Sequence, residues 1–414
     1  MHFTIFLFKG KKVLDVIILI SCKANVEISY WIELHKGYHE KQKTVNSLER
    51  MVIIKDFIEN ICNEWSENYN FSGVCMFKVN GETVFEKAYG YANRAFKIPN
   101  RIDTKFDTAS ITKLFTAVAI LQLIQQNKLG FDDKIVEIID LTGTEIPADV
   151  TIRQLLNHTS GIADDAEEEA GEDYSALFRD NPNYAIRECK DFLKNFAYKK
   201  PNFKAGTNVR YCNCSFILLG IVIEKISGMN YRDYVTYNIF RKADMKNTEF
   251  LFMDGINENT AEGYRSIKNI SGKTTGYQKN IYCYPPRGTS DSGAYTTAED
   301  LNKFICAIQN HLLLNEEFAN ILLAPHCEFT YTKEWYEIPG LYEKNGYAFE
   351  ALMLEDNNVP FCIYKDGQND GVSAKFSYYP EKDISLVFLA NQDCDVWMMT
   401  KEIQLEIHLS LIHI

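Results

Sequence analysis

The 414-residue sequence has no long hydrophobic run, no excess of positive charge, no internal repeat, no low-complexity linker and no paired cysteine spacing. Each absence excludes something. Without an apolar stretch of about 20 residues there is no convincing membrane segment. With 44 Lys and Arg against 56 Asp and Glu the net charge is −12, which removes any broad attraction to nucleic acid or anionic lipid. Eleven cysteines are scattered along the chain, and Cys212-Asn-Cys214 is too tight for a zinc knuckle. Their odd number and apolar settings (Cys75, Cys306, Cys362) favour reduced, buried thiols. A content of 46% hydrophobic and 24% charged residues excludes a disordered or collagen-like chain.

The charge is uneven. Residues 1–50 hold 8 Lys and Arg and 5 Asp and Glu, so the remaining 364 residues carry −15. Val13-Leu-Asp-Val-Ile-Ile-Leu-Ile20 follows Lys9, Lys11 and Lys12 and precedes Cys22, an order similar to an export or lipid-anchor signal. Asp15 interrupts the run, which is also too short to span a bilayer. The expectation is therefore that 1–50 is an extension outside the catalytic unit, that Met51 is the true start, and that the protein is cytoplasmic; export or lipid anchoring is the alternative. An amphipathic helix is expected from Val52, with Ile54, Phe57, Ile58, Ile61 and Trp65 at helical spacing.

Phe71 to Val79 and Glu82 to Ala88 read as strands joined by an Asn80-Gly81 type I′ turn. Phe361 to Lys365, Val372 to Tyr379 and Ile384 to Ala390 read as three more, turned at Asp366 to Gly371 and at Pro380 to Asp383. The last twenty residues look helical, and a mostly helical middle runs from about 108 to 330. The expected fold is α+β: one antiparallel sheet built from both ends of the chain, with a helical subdomain inserted, all within 51–414. The acidic run Asp164 to Asp173 reads as a solvated loop, with calcium binding as the alternative.

One lysine does not fit. From Ser110 to Gln126 the helix carries no charge after Lys113, and its apolar residues encircle it, so it is buried on most faces. A buried lysine needs a partner or a function. Ser110 lies one turn before it, at a helix N-terminus where N–H groups are free. A hydroxyl, an amine and free N–H donors are the components of an activated serine nucleophile with an oxyanion site. Ser110/Lys113 is the only Ser-x-x-Lys spacing in the chain.

Phe106-Asp-Thr-Ala-Ser-Ile-Thr-Lys113, Thr151-Ile-Arg-Gln-Leu-Leu-Asn-His-Thr-Ser-Gly-Ile162 and the segment Gly288 to Leu301 together resemble the serine β-lactamase and penicillin-binding-protein superfamily, in its class C-like branch. The likeness runs from about Phe71 to Asn391. Of two Tyr-x-Asn sequences, Tyr91-Ala-Asn93 and Tyr211-Cys-Asn213, the second follows the nucleophile and opens an apolar helix as the family pattern requires. Of the two Lys-x-Gly sequences after Tyr211, Lys344-Asn-Gly346 reads as a surface turn and Lys365-Asp-Gly367 as the family's strand motif. Asp366 stands where Thr is usual. Pointing inward it would repel a substrate carboxylate, and alternation along a strand allows it to point away instead. His158 reads as buried scaffold.

The resemblance implies that Ser110 attacks a carbonyl to give an acyl-enzyme. Tyr211 moves the proton, supported by Lys113 and Lys365; neutral Lys113 as the base is the alternative. Asn213 orients Lys113 and the substrate, and the N–H groups of Ser110 and Gln368, just after Gly367, hold the oxyanion. No metal or cofactor is expected, and the partner is a small-molecule or peptide substrate. The expected activity is that of an esterase or D-peptidase-like serine hydrolase. The alternatives are a β-lactamase or penicillin-binding DD-peptidase, and an acylated sensor without turnover.

Overall fold

The computed structural model describes residues 6–9, 14–17, 47–166, 174–327, 338, 340–355 and 359–411. An antiparallel hairpin of β1 (Phe6–Lys9) and β2 (Leu14–Ile17) is followed by helix α1 (Ser47–Asn68), which begins five residues before the expected Val52. Ile53–Leu405 is one compact unit that contains every candidate site residue; the β1–β2 hairpin belongs to a second. Cys22 lies outside the described residues.

Asn80 and Gly81 both take positive φ, 50° and 76°, the left-handed pair that a two-residue hairpin demands. They join β3 (Gly73–Val79) to β4 (Glu82–Tyr89). The chain then enters the helical insert, whose main members are α2 (Thr112–Gln125), α3 (Asn213–Ser227) and α4 (Ala298–Gln309). Every residue of α2 from Thr112 to Ile124 is buried, as its all-round apolar sequence requires. α3 packs against it, and Phe115 meets Phe240 and Phe304 edge-on at 4.9 and 5.0 Å. The insert is not purely helical: β5 (Tyr264–Lys268) and β6 (Thr274–Lys279) form a hairpin within it.

The chain returns to the sheet with β7 (Leu341–Asn345), β8 (Glu350–Leu354), β9 (Pro360–Asn369), β10 (Val372–Tyr379) and β11 (Ile384–Ala390), and closes with α5 (Val396–Leu411). The sheet is antiparallel throughout, in the order β7-β8-β9-β10-β11-β3-β4. β11 and β3 pair from Ile384 opposite Val79 to Ala390 opposite Gly73, so both parts of the chain close one sheet.

Three expectations need correction. β7 and β8 were not expected. Their Leu, Met, Ala, Glu and Lys content favours helix in isolation, and the sheet context overrides it. Lys344 accordingly stands in a strand, half-buried and opposite Ala351, not in a surface turn. The turn expected over Asp366 to Gly371 is only Asp370-Gly371, because β9 continues to Asn369 and pairs with β10 as far as Val372. Among the described residues, no single helix is long and apolar enough to cross a membrane.

Candidate active site

Ser110 sits in a 3-10 turn, Ala109–Ile111, that leads into α2. Ala109 is held at φ 43°, a strained value for a residue with a side chain, and its N–H donates to Asp107 Oδ1 at 2.7 Å. The turn is anchored from a distant loop: both the N–H and the hydroxyl of Thr108 donate to the Ala294 carbonyl, at 3.0 and 2.8 Å. The family-like segment from Gly288 thus supports the turn that carries Ser110.

Lys113 is fully buried, and its Nζ donates to Ser110 Oγ at 3.0 Å, Asn213 Oδ1 at 2.9 Å and the Asp291 carbonyl at 2.8 Å. These acceptors account for a buried ammonium that would otherwise cost several kcal/mol. The Asp291 side chain, itself buried, accepts from Thr289 Oγ1 at 2.7 Å, and burial holds its carboxyl above the usual range.

Asn213 is the first residue of α3, yet capping that helix is not its task. Asp164, far back in the chain, accepts from the N–H groups of Asn213 and Cys214 at 2.8 and 2.9 Å, which leaves the Asn213 amide oxygen for Lys113. Asp164 and Asp165 are therefore buried structural residues and not part of a solvated loop; Glu167 to Asp173 lie outside the described residues. Asp164, Asp165 and Cys214 do place ligand atoms within 4.8 Å of one another, but Asp164 is committed to the helix N-terminus.

Two lysines approach the Tyr211 ring, with Lys113 Nζ at 5.1 Å and Lys365 Nζ at 4.9 Å from its centroid. His158 packs against it at a tilt, with ring centroids 4.6 Å apart. Its Nδ1 accepts the Cys212 N–H, which leaves the proton on Nε2, and burial together with Lys365 and Lys113 pushes its pKa well down. His158 is thus a buried, neutral support for Tyr211, as expected.

On β9, alternation separates the two halves of Lys365-Asp-Gly. Lys365 and Gly367 face the insert. Gly367 lies so near the nucleophile turn that a Cβ there would stand 2.1 Å from the Thr108 carbonyl oxygen. Asp366 faces the other way and is paired with Lys375, its direct partner on β10, at 2.7 Å. The question the sequence left open has this answer: the Asp366 carboxylate is not in the site. Gln368 is exposed near the end of the strand.

Sequence reasoning missed Glu350. It begins β8, is buried, and accepts from Lys365 Nζ at 3.0 Å. No motif marks it, and only the pairing of an unexpected strand brings it to Lys365. Its presence changes the electrostatics. Bringing a tyrosine from 10 to 7 requires about 4 kcal/mol, which is about what one cation at about 4 Å supplies at an effective dielectric near 20. Two lysines were expected to supply that support; the Glu350 carboxylate opposes the charge of one of them, Lys365.

The chain as a whole is similar to known proteins. A penicillin-binding protein from Bacillus halodurans is 34% identical, covers 84% of this chain and 99% of its own, and superposes with a TM-score of 0.75. A putative penicillin-binding protein of Bacillus subtilis is 26% identical over 391 residues, 87% of this chain and 88% of its own. Another penicillin-binding protein of that organism is 32% identical over 199 residues, 46% of this chain, and the match spans only 40% of its length. Since residues 60–406, from α1 into α5, also match the Beta-lactamase family as a whole, the chain belongs to the Beta-lactamase family.

Proposed function

We propose that the chain is a serine hydrolase that works through an acyl-enzyme on ester, amide or lactam carbonyls, with Ser110 as nucleophile. The observation that carries this reading is the buried Lys113 ammonium joined at once to Ser110 Oγ, Asn213 Oδ1 and the Asp291 carbonyl beneath the Tyr211 ring. Ser110 Oγ bonds to the substrate carbonyl carbon while its proton passes to Tyr211, supported by Lys113. The tetrahedral intermediate expels the leaving group, which takes that proton, and water then repeats the sequence to release the acid. β8 ends its pairing at Glu350 opposite Tyr364, so among the described residues the outer edge of β9 beyond Lys365 has no strand neighbour. The Gln368 N–H on that segment and the Ser110 N–H on the adjoining turn are the oxyanion donors we assign. Asn213 and Lys365 complete the substrate-binding groups, with Gly367 allowing the close approach of strand and turn. The catalytic unit is 51–414, with 1–50 outside it.

Ser110→Ala should abolish labelling by a serine-directed phosphonate; labelling that persists sinks the assignment. Among substrates, the ester or D-amino-acid amide reading rests on Glu350 and Lys365 cancelling each other's charge. The alternative, a lactam substrate, is favoured by the penicillin-binding names of the relatives. Rates on a short-chain nitrophenyl ester, a D-amino-acid amide and a chromogenic cephalosporin separate the two, and an acylation burst without turnover would identify a sensor.

A further inference from the structure

We infer that Glu350 is a specificity-determining residue: by occupying Lys365 it turns what would be a carboxylate-binding subsite into one for uncharged groups, so the enzyme takes neutral esters and amides and discriminates against substrates with a carboxylate that reaches this lysine. This deepens the proposed acyl-enzyme reading and rests on it.

Three observations converge. Lys365 is 1% exposed and faces the insert beside Tyr211, so it lines the site and not the outer surface. Its ammonium is already bonded to a carboxylate at 3.0 Å, and that carboxylate is itself buried. An arriving substrate carboxylate would therefore meet Glu350 together with Lys365, and in a low-dielectric pocket the repulsion offsets the attraction. The carboxylate that the sequence singled out as a repeller, Asp366, is turned to the opposite face and bound to Lys375, so the discriminating charge is Glu350. The pair also fixes Lys365 against Tyr211, which a neutral substrate leaves undisturbed.

The test uses the full chain and three aryl esters of one acyl skeleton: uncharged, with a carboxylate on the leaving phenol, and with a carboxylate at the far end of the acyl group. The wild type should show a kcat/KM for the uncharged ester at least 10-fold above that for at least one charged ester. Glu350→Gln should narrow or reverse that ratio by 10-fold or more, mainly through a lower KM for the charged ester, and Glu350→Asp should restore the discrimination. A ratio is independent of the fraction of folded enzyme, so a generally weakened variant does not imitate the effect. A wild type that prefers a charged ester overturns the inference whether or not the variants fold. So does a Glu350→Gln ratio within twofold of wild type on both arms. If hydrolysis of all three esters survives Ser110→Ala, it is the acyl-enzyme reading that fails.

Discussion

At the scale of single residues, the proposed chemistry depends on keeping one ammonium buried and aimed. Lys113 is held by acceptors from three stretches of chain, of which Asn213 is the one outside both the Ser110 turn and the Gly288 segment that anchors it. Asn213→Ala should lower kcat on a nitrophenyl ester about 10- to 100-fold and cost about 1.5 to 3 kcal/mol in stability, the range for losing a hydrogen bond to a charged group. Equal kcat with normal unfolding would show that Asn213 does not orient Lys113. Ser110 and Lys113 were legible from the residues themselves, since a charge in an apolar helix breaks a local expectation, whereas Tyr211 and Lys365 were singled out through the family resemblance. Glu350 breaks none. A glutamate at the start of a short strand is unremarkable until the strand beside it delivers a lysine.

At the scale of elements, α3 shows how a helix can be capped by a remote group so that its own first residue stays available. Asp164 takes the N–H groups of both Asn213 and Cys214. Asp164→Ala should therefore strand two buried donors and lower stability by about 2 to 4 kcal/mol, read as a shift in denaturant midpoint at constant m. A change below about 0.5 kcal/mol would mean that α3 finds another cap. The strands β3, β4, β9, β10 and β11 and the helices α2, α3 and α5 follow from periodicity and turn chemistry. β7 and β8 do not, since they are built from helix-favouring residues and exist through their neighbours. The Asp366 orientation likewise becomes readable only once β9 is known to run through it as strand.

At the scale of the whole molecule, burial has left two carboxyl groups that hold their protons unusually tightly. Asp107 is pushed up to about 6 by desolvation, and Glu402 to about 7 by desolvation and by the neighbouring charge of Glu64. Both keep a proton in the folded chain at pH values where the unfolded chain has released it. The stability they contribute is therefore complete below about pH 4 and is lost as pH rises through about 6 and about 7, by about 3 kcal/mol for each group. Asp107→Asn combined with Glu402→Gln should accordingly gain stability over wild type at pH 8 and show little difference at pH 4 by chemical denaturation. A difference that is the same at both pH values would contradict this.

The position of β11 between β10 and β3 has a consequence for how the protein is made. The β3–β4 hairpin leaves the ribosome about 300 residues before the strand that must lie beside it. Throughout that interval its Gly73–Val79 edge, an apolar row ready to accept any extended chain, is bare. Synthesis halted before Ile384 would release a polypeptide with the Ser110 turn and no completed sheet, and the late strand is thus both the last piece of the sheet and the seal over an exposed strand edge.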